Sequence, residues 1–365
     1  MPLTKDRIAV LDGLRGFSIV LVIAGHLAGT RGFPLRENQV SAALALLGVR
    51  VFFVISGFLI TQILLNEVGE TGTVNLGRFY FRRTLRIFVP YYAFLFAMFA
   101  LERVGVILVG PNDFAAAATY TSNYNPHAAW QLAHTWSLSV EEQFYLLWPA
   151  ALALLGRKRA FGIVVLAIVG LPLVRIGMWK FAPALRDGIG HRFETCADSL
   201  ATGCLLAAAR GWLSERSWYT RIARSPAAVV VTGLVLASVV LDNHPRMAFA
   251  FGWSFQNVGI AFVIDACLRD ASGGLGWLLT TAPAVAIGRM SYSIYLWQQL
   301  FLDRQSTSLM CRFPFNLVAV AATAVFSYRV VELGSLALRQ RWEPRLFRAR
   351  ATAQSSPPDV AVAQQ

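Results

Sequence analysis

The sequence has few charged residues and little polar surface for a chain of 365 residues. Only 15% of its residues are charged, whereas a soluble domain carries about 25%. Because 56% of the residues are hydrophobic, the chain is neither disordered nor an ordinary soluble core. Lysine and arginine exceed aspartate and glutamate by 33 to 20, but the polar surface that would present them to nucleic acid is missing. We therefore expect a membrane protein with basic loops and no nucleic-acid partner.

Cysteine is also scarce, and its spacing excludes the usual cysteine sites. The four cysteines are Cys196, Cys204, Cys267 and Cys311, and no two of them form a C-x-x-C pair. We predict that they are small apolar residues in or near helices, and we expect neither a disulfide nor a zinc site.

Ten segments are long and apolar enough to cross a bilayer, which takes about 20 apolar residues each. The sequence thus predicts an all-α membrane bundle of about ten transmembrane helices. Any one segment could instead be a re-entrant or interfacial helix, and polar residues interrupt two of them, 193–209 and 284–302. The predicted spans are 8–28, 44–65, 87–108, 138–155, 160–179, 193–209, 226–241, 247–268, 284–302 and 314–338.

The distribution of basic residues predicts the orientation of the bundle. An even number of spans puts both termini on one side. The loops on that side hold 19 of the 33 lysine and arginine residues, and the opposite loops hold 8. By the positive-inside rule both termini are cytoplasmic. We expect residues 1–338 to form the membrane domain and residues 339–365 to form a cytoplasmic tail that is first basic and then disordered.

The first predicted helix carries ionisable residues where they are costly. Arg15 and His26 are eleven residues apart, close to three helical turns, so they share one face about 16 Å apart along the axis. Asp12 lies within about 40° of that stripe. Ionisable groups inside a span are functional candidates by default. We predict a role for His26 in the chemistry, although Asp12 and Arg15 alone could form an interfacial ion pair.

A second motif, HTWSLSVEEQFYLLWP, opens the fourth predicted helix with two adjacent carboxylates. Ser139 and Glu142 have the spacing of a capping box, which would explain Glu142 structurally. Glu141 has no such explanation, and it shares a helix face with Ser137 and Tyr145. A carboxylate near a histidine is a common general-base arrangement, so we expect Glu141 to act with the histidine of the first helix.

A third motif, RFYFRRTLRIFVPYY, places four arginines in the predicted cytoplasmic loop before the third helix. They are Arg78, Arg82, Arg83 and Arg86. Arginine forks suit phosphate groups, but ordinary anchoring against anionic lipid explains such a loop equally well.

These motifs, taken in order, resemble the acyltransferase 3 family of integral membrane O-acyltransferases over most of residues 7–335. The resemblance rests on the series and on the Arg-x10-His spacing, since each motif alone is weak. The motifs are LDGLRG at 11–16, VFFVISGFLI at 51–60, FRRTLRIFVPYY at 81–92, HTWSLSVEEQFYLLWP at 134–149, RFETCADSLATGCLLA at 192–207, MSYSIYLWQQ at 290–299 and SYRVVE at 327–332.

The resemblance implies transfer of an acetyl or other short acyl group from cytoplasmic acyl-CoA to a hydroxyl. Typical acceptors are sugars of surface polysaccharides, lipid-linked glycans or glycosylated metabolites. It implies that Arg15 and His26 are essential and that Glu141 is the carboxylate of the S-L-x-x-E pattern. It also makes the arginine-rich segment a contact for CoA phosphates. The donor-binding residues are then Arg82, Arg83, Arg86 and Arg15, with Asp12, Glu142, Ser137 and Tyr145 in support.

The sequence departs from the family pattern in two places. Many members have histidine after Tyr-Leu-Trp, where this chain has Gln298, so we assign no catalysis to that position. Some members also carry an SGNH-type domain after the last helix. We expect the stand-alone form, in which the membrane domain recognises the acceptor. We further expect a bacterial plasma-membrane protein without a permanently bound cofactor, using acyl-CoA, in the first place acetyl-CoA, as co-substrate.

Two mechanisms and two other functions remain open at this level. His26 could remove the acceptor's proton, or it could carry the acyl group itself. A transporter or flippase of a glycan or lipid would also hold intramembrane ionisable residues, although no paired internal repeats are visible. A non-catalytic assembly partner would leave the alignment of Arg15 with His26 unexplained.

Overall fold

The computed structural model describes residues 5–224, 233 and 245–347. Within them the chain is helical and contains no β-strand, which confirms the predicted fold class. The helices are α1 (Lys5–Leu27), α2 (Gln39–Thr71), α3 (Leu76–Arg103), α4 (Pro111–Ala118), α5 (Trp130–Ala133), α6 (Thr135–Phe181), α7 (Phe193–Ser214), α8 (Ser217–Arg224), α9 (Trp253–Arg269), α10 (Gly274–Thr280), α11 (Ala282–Arg289), α12 (Ser291–Phe301), α13 (Phe315–Ser327) and α14 (Leu333–Phe347). The structure also contains short 3₁₀ turns, a three-residue helix at Pro245–Met247, and π turns at Ala248–Gly252 and Tyr328–Glu332.

Six stretches of the described chain are long and apolar enough to span a membrane. They are Ile8–Leu27, Gln39–Thr71, Leu76–Arg103, Trp130–Phe181, Ala248–Arg269 and Phe315–Phe347. The predicted span 226–241 lies outside the described residues. The number ten and the cytoplasmic placement of the termini therefore stay predictions.

Two predicted spans join end to end in the longest stretch. Helix α6 is interrupted only at Gly156, whose φ of 71° and ψ of 167° are not helical. A positive φ is cheap for glycine because it has no Cβ. The chain therefore changes direction between residues 138–155 and 160–179 without a separate loop.

Three predicted spans differ from the structure. Helix α3 begins at Leu76 rather than at residue 87, because its first turns are rich in arginine and an apolar-run criterion reads them as a loop. The segment 284–302 is not one helix but two, α11 and α12, which meet at Met290. At the other end of the chain, α14 continues beyond residue 338 to Phe347.

The centre of the bundle is α2, which packs most extensively against α1 and α7. Glycines allow the closest approach. A Cβ on Gly57 of α2 would collide with the backbone of Leu200, and a Cβ on Gly203 of α7 would collide with Val54. Small residues that let backbones touch are typical of helix packing in membranes. A similar contact between Gly288 of α11 and the backbone of Asp12 brings α11 against the first helix.

A fully buried ion pair fixes the second half of α6. Arg175 donates to Oδ2 of Asp198 at 2.9 Å and to the carbonyl of Thr195 at 2.7 Å, both on α7. It also donates to the carbonyl of Phe249 at 3.1 Å. All of these acceptors are oxygens of the protein, so the guanidinium is hydrogen-bonded and its charge is balanced without water. We interpret Arg175 as a structural residue.

The segment after α3 folds back along it instead of extending away. The hydroxyls of Tyr91 and Tyr92 donate to the carbonyls of Ala117 and Ala118 at 2.9 and 2.8 Å. Gln143 of α6 donates to the carbonyl of Tyr120 at 2.9 Å. Side chains of α3 and α6 thus satisfy carbonyls at the end of α4 and just after it, which have no partner within the helix. This segment leads the chain to the mouth of the site described next.

Candidate active site

His26 lies in the last turn of α1 and is held by an amide from α12. Its Nδ1 is 2.8 Å from Oε1 of Gln298. The indole of Trp130 meets the imidazole edge-on, with ring centroids 5.3 Å apart. Gln298 is thus the direct partner of the predicted catalytic histidine, at a position to which the sequence assigns no catalysis.

A cavity of about 290 Å³ adjoins His26. Rings form much of its wall, and most of the polar groups come from loops predicted to be on the outer side, with Gln299 from α12. Burial lowers the pKa of His191 to about 4, so its ring is neutral near pH 7. The ring-bearing residues are His26, Trp130, His134, Trp136, His191 and Tyr295, and the polar ones include Glu37, Asn125, Gln299 and Arg304.

Arg304 shapes the mouth of this cavity. Its guanidinium lies 5.1 Å from the ring centroid of Trp130 and pairs with Glu37 at 2.6 Å. Its Nε donates to the carbonyl of Ala28 at 2.8 Å, just after α1 ends. The arginine therefore joins three elements around the end of α1 that carries His26.

A second histidine is held in the same way as the first. His134 has its Nδ1 2.8 Å from Oε1 of Gln299, and its backbone N–H donates to the same oxygen at 3.1 Å. The hydroxyl of Tyr295 hydrogen-bonds Ser137 at 2.6 Å and donates to the carbonyl of His134 at 3.1 Å. The predicted supporting residue Ser137 is therefore a partner of α12.

The opposite end of the α1 stripe is charged. Arg15 Nη1 is 3.7 Å from Oδ1 of Asp12, and Arg289 Nε is 3.4 Å from Oδ2 of the same carboxylate. Arg15 is also within electrostatic range of Glu141 and Glu332. Because α1 is unbroken, Arg15 and His26 stay about 16 Å apart along the axis. The structure thus places them in two separate clusters on one helix.

Glu141 belongs to the charged cluster and does not contact His26. Ser56 Oγ of α2 donates to its Oε1 at 2.6 Å, and Arg83 and Arg15 are within electrostatic range. The expected pairing of Glu141 with the imidazole is not formed. Ser56, the serine of VFFVISGFLI, is the hydrogen-bond partner of Glu141. The hydrogen-bond partner of His26 is Gln298.

The capping-box interpretation of Ser139 and Glu142 is wrong. Helix α6 begins at Thr135, so Ser139 lies inside it and its hydroxyl donates back to the Thr135 carbonyl at 3.0 Å. Glu142 therefore lies about two turns inside the helix and does not cap it. One of its carboxylate oxygens is buried without a hydrogen-bond partner among the described residues, and the residue lines a second cavity of about 310 Å³ together with Arg83 and Tyr145.

Apart from Arg15, the predicted donor-binding arginines lie in the first turns of α3, where their side chains have different partners. Arg83 stacks on Tyr145, with its Cζ 3.4 Å from the ring centroid. Arg86 is exposed, yet Arg15 and Glu332 are within electrostatic range of it. Arg82 turns to the end of the bundle, where its Nε donates to Glu343 at 2.6 Å.

Sequence reasoning missed the residues that organise both clusters from α12. Gln298 and Gln299 bond the two histidines, and Ser293 donates to Glu332 at 3.0 Å. Two consecutive glutamines in an otherwise apolar and aromatic helix were the available signal. His134 is the first residue of the motif HTWSLSVEEQFYLLWP, and the sequence predicts no role for it. In residues 5–224 and 245–347, no three His, Cys, Asp or Glu side chains are grouped to hold a metal ion.

Comparison with known proteins gives one family. The acyltransferase domain of the acyltransferase 3 family matches residues 8–328. O-acetyltransferase OatA of Staphylococcus aureus strain NCTC 8325 is 26% identical over 349 residues, covering 88% of this chain. A putative O-acetyltransferase of S. aureus strain COL is 27% identical over 353 residues, again covering 88% of this chain. The chain spans 56% of the length of each.

No solved structure matches the chain. The family match nevertheless covers nearly all of the described bundle, including α1 with His26 and α12 with Gln298. The family suggested by the motif series is therefore confirmed, and the chain belongs to the acyltransferase 3 family.

Proposed function

We propose that this protein is a membrane O-acyltransferase that moves an acetyl or other short acyl group from acyl-CoA to a carbohydrate hydroxyl. The observation that carries the proposal is His26, which adjoins a ring-lined cavity at one end of α1 while a cluster rich in arginine lies at the other end. The relatives named O-acetyltransferases support the reaction type.

The bond to Gln298 prepares the imidazole for this chemistry. An amide oxygen only accepts hydrogen bonds, so Nδ1 of His26 carries the proton and donates to it. The lone pair is then on Nε2. A fixed tautomer with a free lone pair suits either a general base or a nucleophile.

Two reaction sequences use this lone pair. In direct transfer, Nε2 takes the proton of the acceptor hydroxyl while the acceptor oxygen attacks the thioester carbonyl. The CoA thiolate then leaves and takes that proton from the imidazole. In the two-step route, Nε2 of His26 attacks the thioester and the CoA thiolate leaves. The acceptor oxygen then takes the acyl group from the imidazole, and the proton of the acceptor hydroxyl passes to the CoA thiolate. The same hydrogen bond from Nδ1 supports both routes.

The donor enters from the arginine-rich end. Acetyl-CoA is the first candidate, with its phosphates on the arginines of α3 and its extended arm running past Arg15 toward His26. Arg83 and Arg86 face the charged cluster, and guanidinium groups match phosphate oxygens well. Glu141 compensates the positive charge along this path.

The acceptor occupies the cavity beside His26. Its aromatic rings offer flat surfaces for sugar faces, and Asn125, Glu37 and Arg304 offer hydrogen bonds to hydroxyls. The candidates are a surface polysaccharide, a lipid-linked glycan or a glycosylated metabolite. This cavity is on the outer side if the protein lies in a bacterial plasma membrane with both termini cytoplasmic, which reporter fusions at Gln365 would test.

Acyl transfer can be tested with the purified protein in nanodiscs. Radiolabelled acetyl-CoA is supplied with glycan extracts, and release of free CoA and labelling of the glycan are followed. We expect the wild type to bind acetyl-CoA and to release CoA, and we expect this release to disappear in His26→Ala. A wild-type protein that neither binds nor consumes acetyl-CoA but moves a glycan across the bilayer would be a transporter, and the proposal would be wrong.

A further inference from the structure

Three arginines converge on one carboxylate where α14 meets the beginning of α3. Nε of Arg78 and Nε of Arg82 both donate to Oε1 of Glu343, at 2.9 and 2.6 Å. Arg339, one turn before Glu343 on α14, brings its Nε to 3.7 Å from Oε2. The cluster therefore sets three positive charges against one negative charge.

The carboxylate leaves some of these donors unused. At 3.7 Å the contact of Arg339 is an ion pair but not a hydrogen bond, and its Nε is buried without a hydrogen-bond partner among the described residues. A phosphate offers at least three acceptor oxygens where a carboxylate offers two, and arginine forks bind phosphate oxygens bidentately. The surroundings of Glu343 thus suit a phosphate better than a carboxylate.

The cluster also lies where a phosphate-bearing ligand could reach it. The side chains of Arg78 and Arg82 are 45% and 39% exposed, whereas that of Glu343 is 12% exposed. Arg78, Arg82 and Arg86 follow one another at four-residue intervals, so they form a stripe along α3 with steps of about 6 Å. This stripe leads from Glu343 to the charged cluster around Arg15.

We infer that Arg78, Arg82 and Arg339 form a binding site for the phosphates of the nucleotide end of the donor, and that Glu343 occupies this site as an internal competitor. The inference rests on the proposed function for the identity of the donor. The ring contact between Phe81 and Phe347, with centroids 5.7 Å apart, holds α14 on α3 while the ion pairs exchange. Glu343 therefore weakens donor binding and keeps the arginines paired when no donor is present.

The first test measures binding of adenosine 3′,5′-bisphosphate and of coenzyme A to the full chain in phosphatidylcholine nanodiscs. We expect Glu343→Gln to bind both about five-fold more tightly, because the amide keeps the shape but removes the competing charge. Glu70→Gln makes the same charge change at the exposed end of α2 and should leave both affinities unchanged. Unchanged or weaker binding by Glu343→Gln would overturn the inference, since Glu343 would then only fasten α14 to α3.

A second variant keeps the inference testable if Glu343→Gln does not fold. Arg339→Gln leaves the hydrogen bonds of Arg78 and Arg82 to Glu343 in place, and it should weaken binding of the bisphosphate about five-fold. Unchanged affinity would remove Arg339 from the site and overturn the inference.

The outcomes also separate this site from the proposed reaction. If the variants shift nucleotide affinity as expected but acetyl-CoA is never consumed, the phosphate site stands and the proposed function fails. If acetyl transfer depends on His26 while both variants bind nucleotide like the wild type, only the phosphate site fails. Nucleotide binding that stays constant while Glu343→Gln retains more phosphatidylglycerol would mean that the phosphate is a lipid headgroup, which also overturns the inference.

Discussion

The two ends of α1 hold polar residues for different purposes. At one end His26 is bonded to an uncharged amide, Gln298, and borders a cavity lined by rings. At the other end Arg15 is paired with Asp12 and lies within range of Glu141 and further charges. The comparison separates a neutral site suited to proton or acyl transfer from a charged site suited to holding an ionic donor. Substitutions at each end of α1 can test whether the two sites act separately.

The largest effect is expected from His26→Ala. Loss of the base or nucleophile should lower acyl transfer by about 10²–10⁴-fold while coenzyme A still binds at the charged end. His127→Ala, in an exposed part of the loop before α5, is the matched control and should keep wild-type activity. The two ends would not be separable if His26→Ala also lost coenzyme A binding, measured by calorimetry.

Glu141→Gln should affect stability more than the chemistry at His26. The substitution removes one negative charge near Arg83 and Arg15. Because other carboxylates remain within range of both arginines, we expect a cost of about 2 kcal/mol of unfolding free energy, less than for breaking an isolated buried pair. Ser56→Ala should cost about 1 kcal/mol, because it removes only the hydroxyl partner.

Thermal melts of these two single variants and of the double variant measure the coupling between Ser56 and Glu141. Glutamine keeps an amide oxygen that can accept from Ser56, so the cycle measures the part of the bond that depends on the carboxylate charge. A coupling energy near zero would contradict a charge-assisted bond between these residues. A direct contact of Glu141 with His26 would instead appear as coupling between those two positions.

Gln298→Leu should reduce activity by about 10–100-fold, the usual loss when a group that orients an active residue is removed. The imidazole would then lose the acceptor that fixes its tautomer. Gln298→His restores the residue of many family members and should retain more activity than the leucine variant. Wild-type activity of Gln298→Leu in the acetyl-CoA assay would show that the amide does not orient His26.

The smallest effect is expected from His191→Asn. The folded-state pKa of His191 is lowered by burial to about 4, below the ordinary value of about 6.5. Between those values the unfolded chain binds more protons than the folded chain, so His191 reduces stability as the pH falls from 6.5 to 4. The asparagine variant should therefore lose less thermal stability over this range. An identical pH dependence of melting would contradict the burial of this ring.

Hydropathy predicts the helical elements because a long apolar run that crosses a membrane must satisfy its own backbone hydrogen bonds, which a helix does. The shared face of Arg15 and His26 follows from spacing alone, since α1 is unbroken from Lys5 to Leu27. The start of α3 was missed because its arginines are polar, although they follow a helical repeat.

The sequence does not predict which side chains on different helices contact each other. His26 and Gln298 are 272 residues apart, and only the packing of α12 against α1 brings them together. The same applies to Ser56 and Glu141, which are 85 residues apart. Spacing within one helix says nothing about such contacts, so it could not show that Glu141 lies apart from His26.

Helix α12 cannot tolerate a shift of register. Each residue turns an α-helix by about 100°, and Gln298 and Gln299 must face two different histidines at once. One residue inserted after Tyr295 would leave the bond of that tyrosine to Ser137 intact but rotate both glutamines away from their partners. Insertions and deletions in this eleven-residue helix should therefore be far rarer among functional variants than substitutions that keep its length.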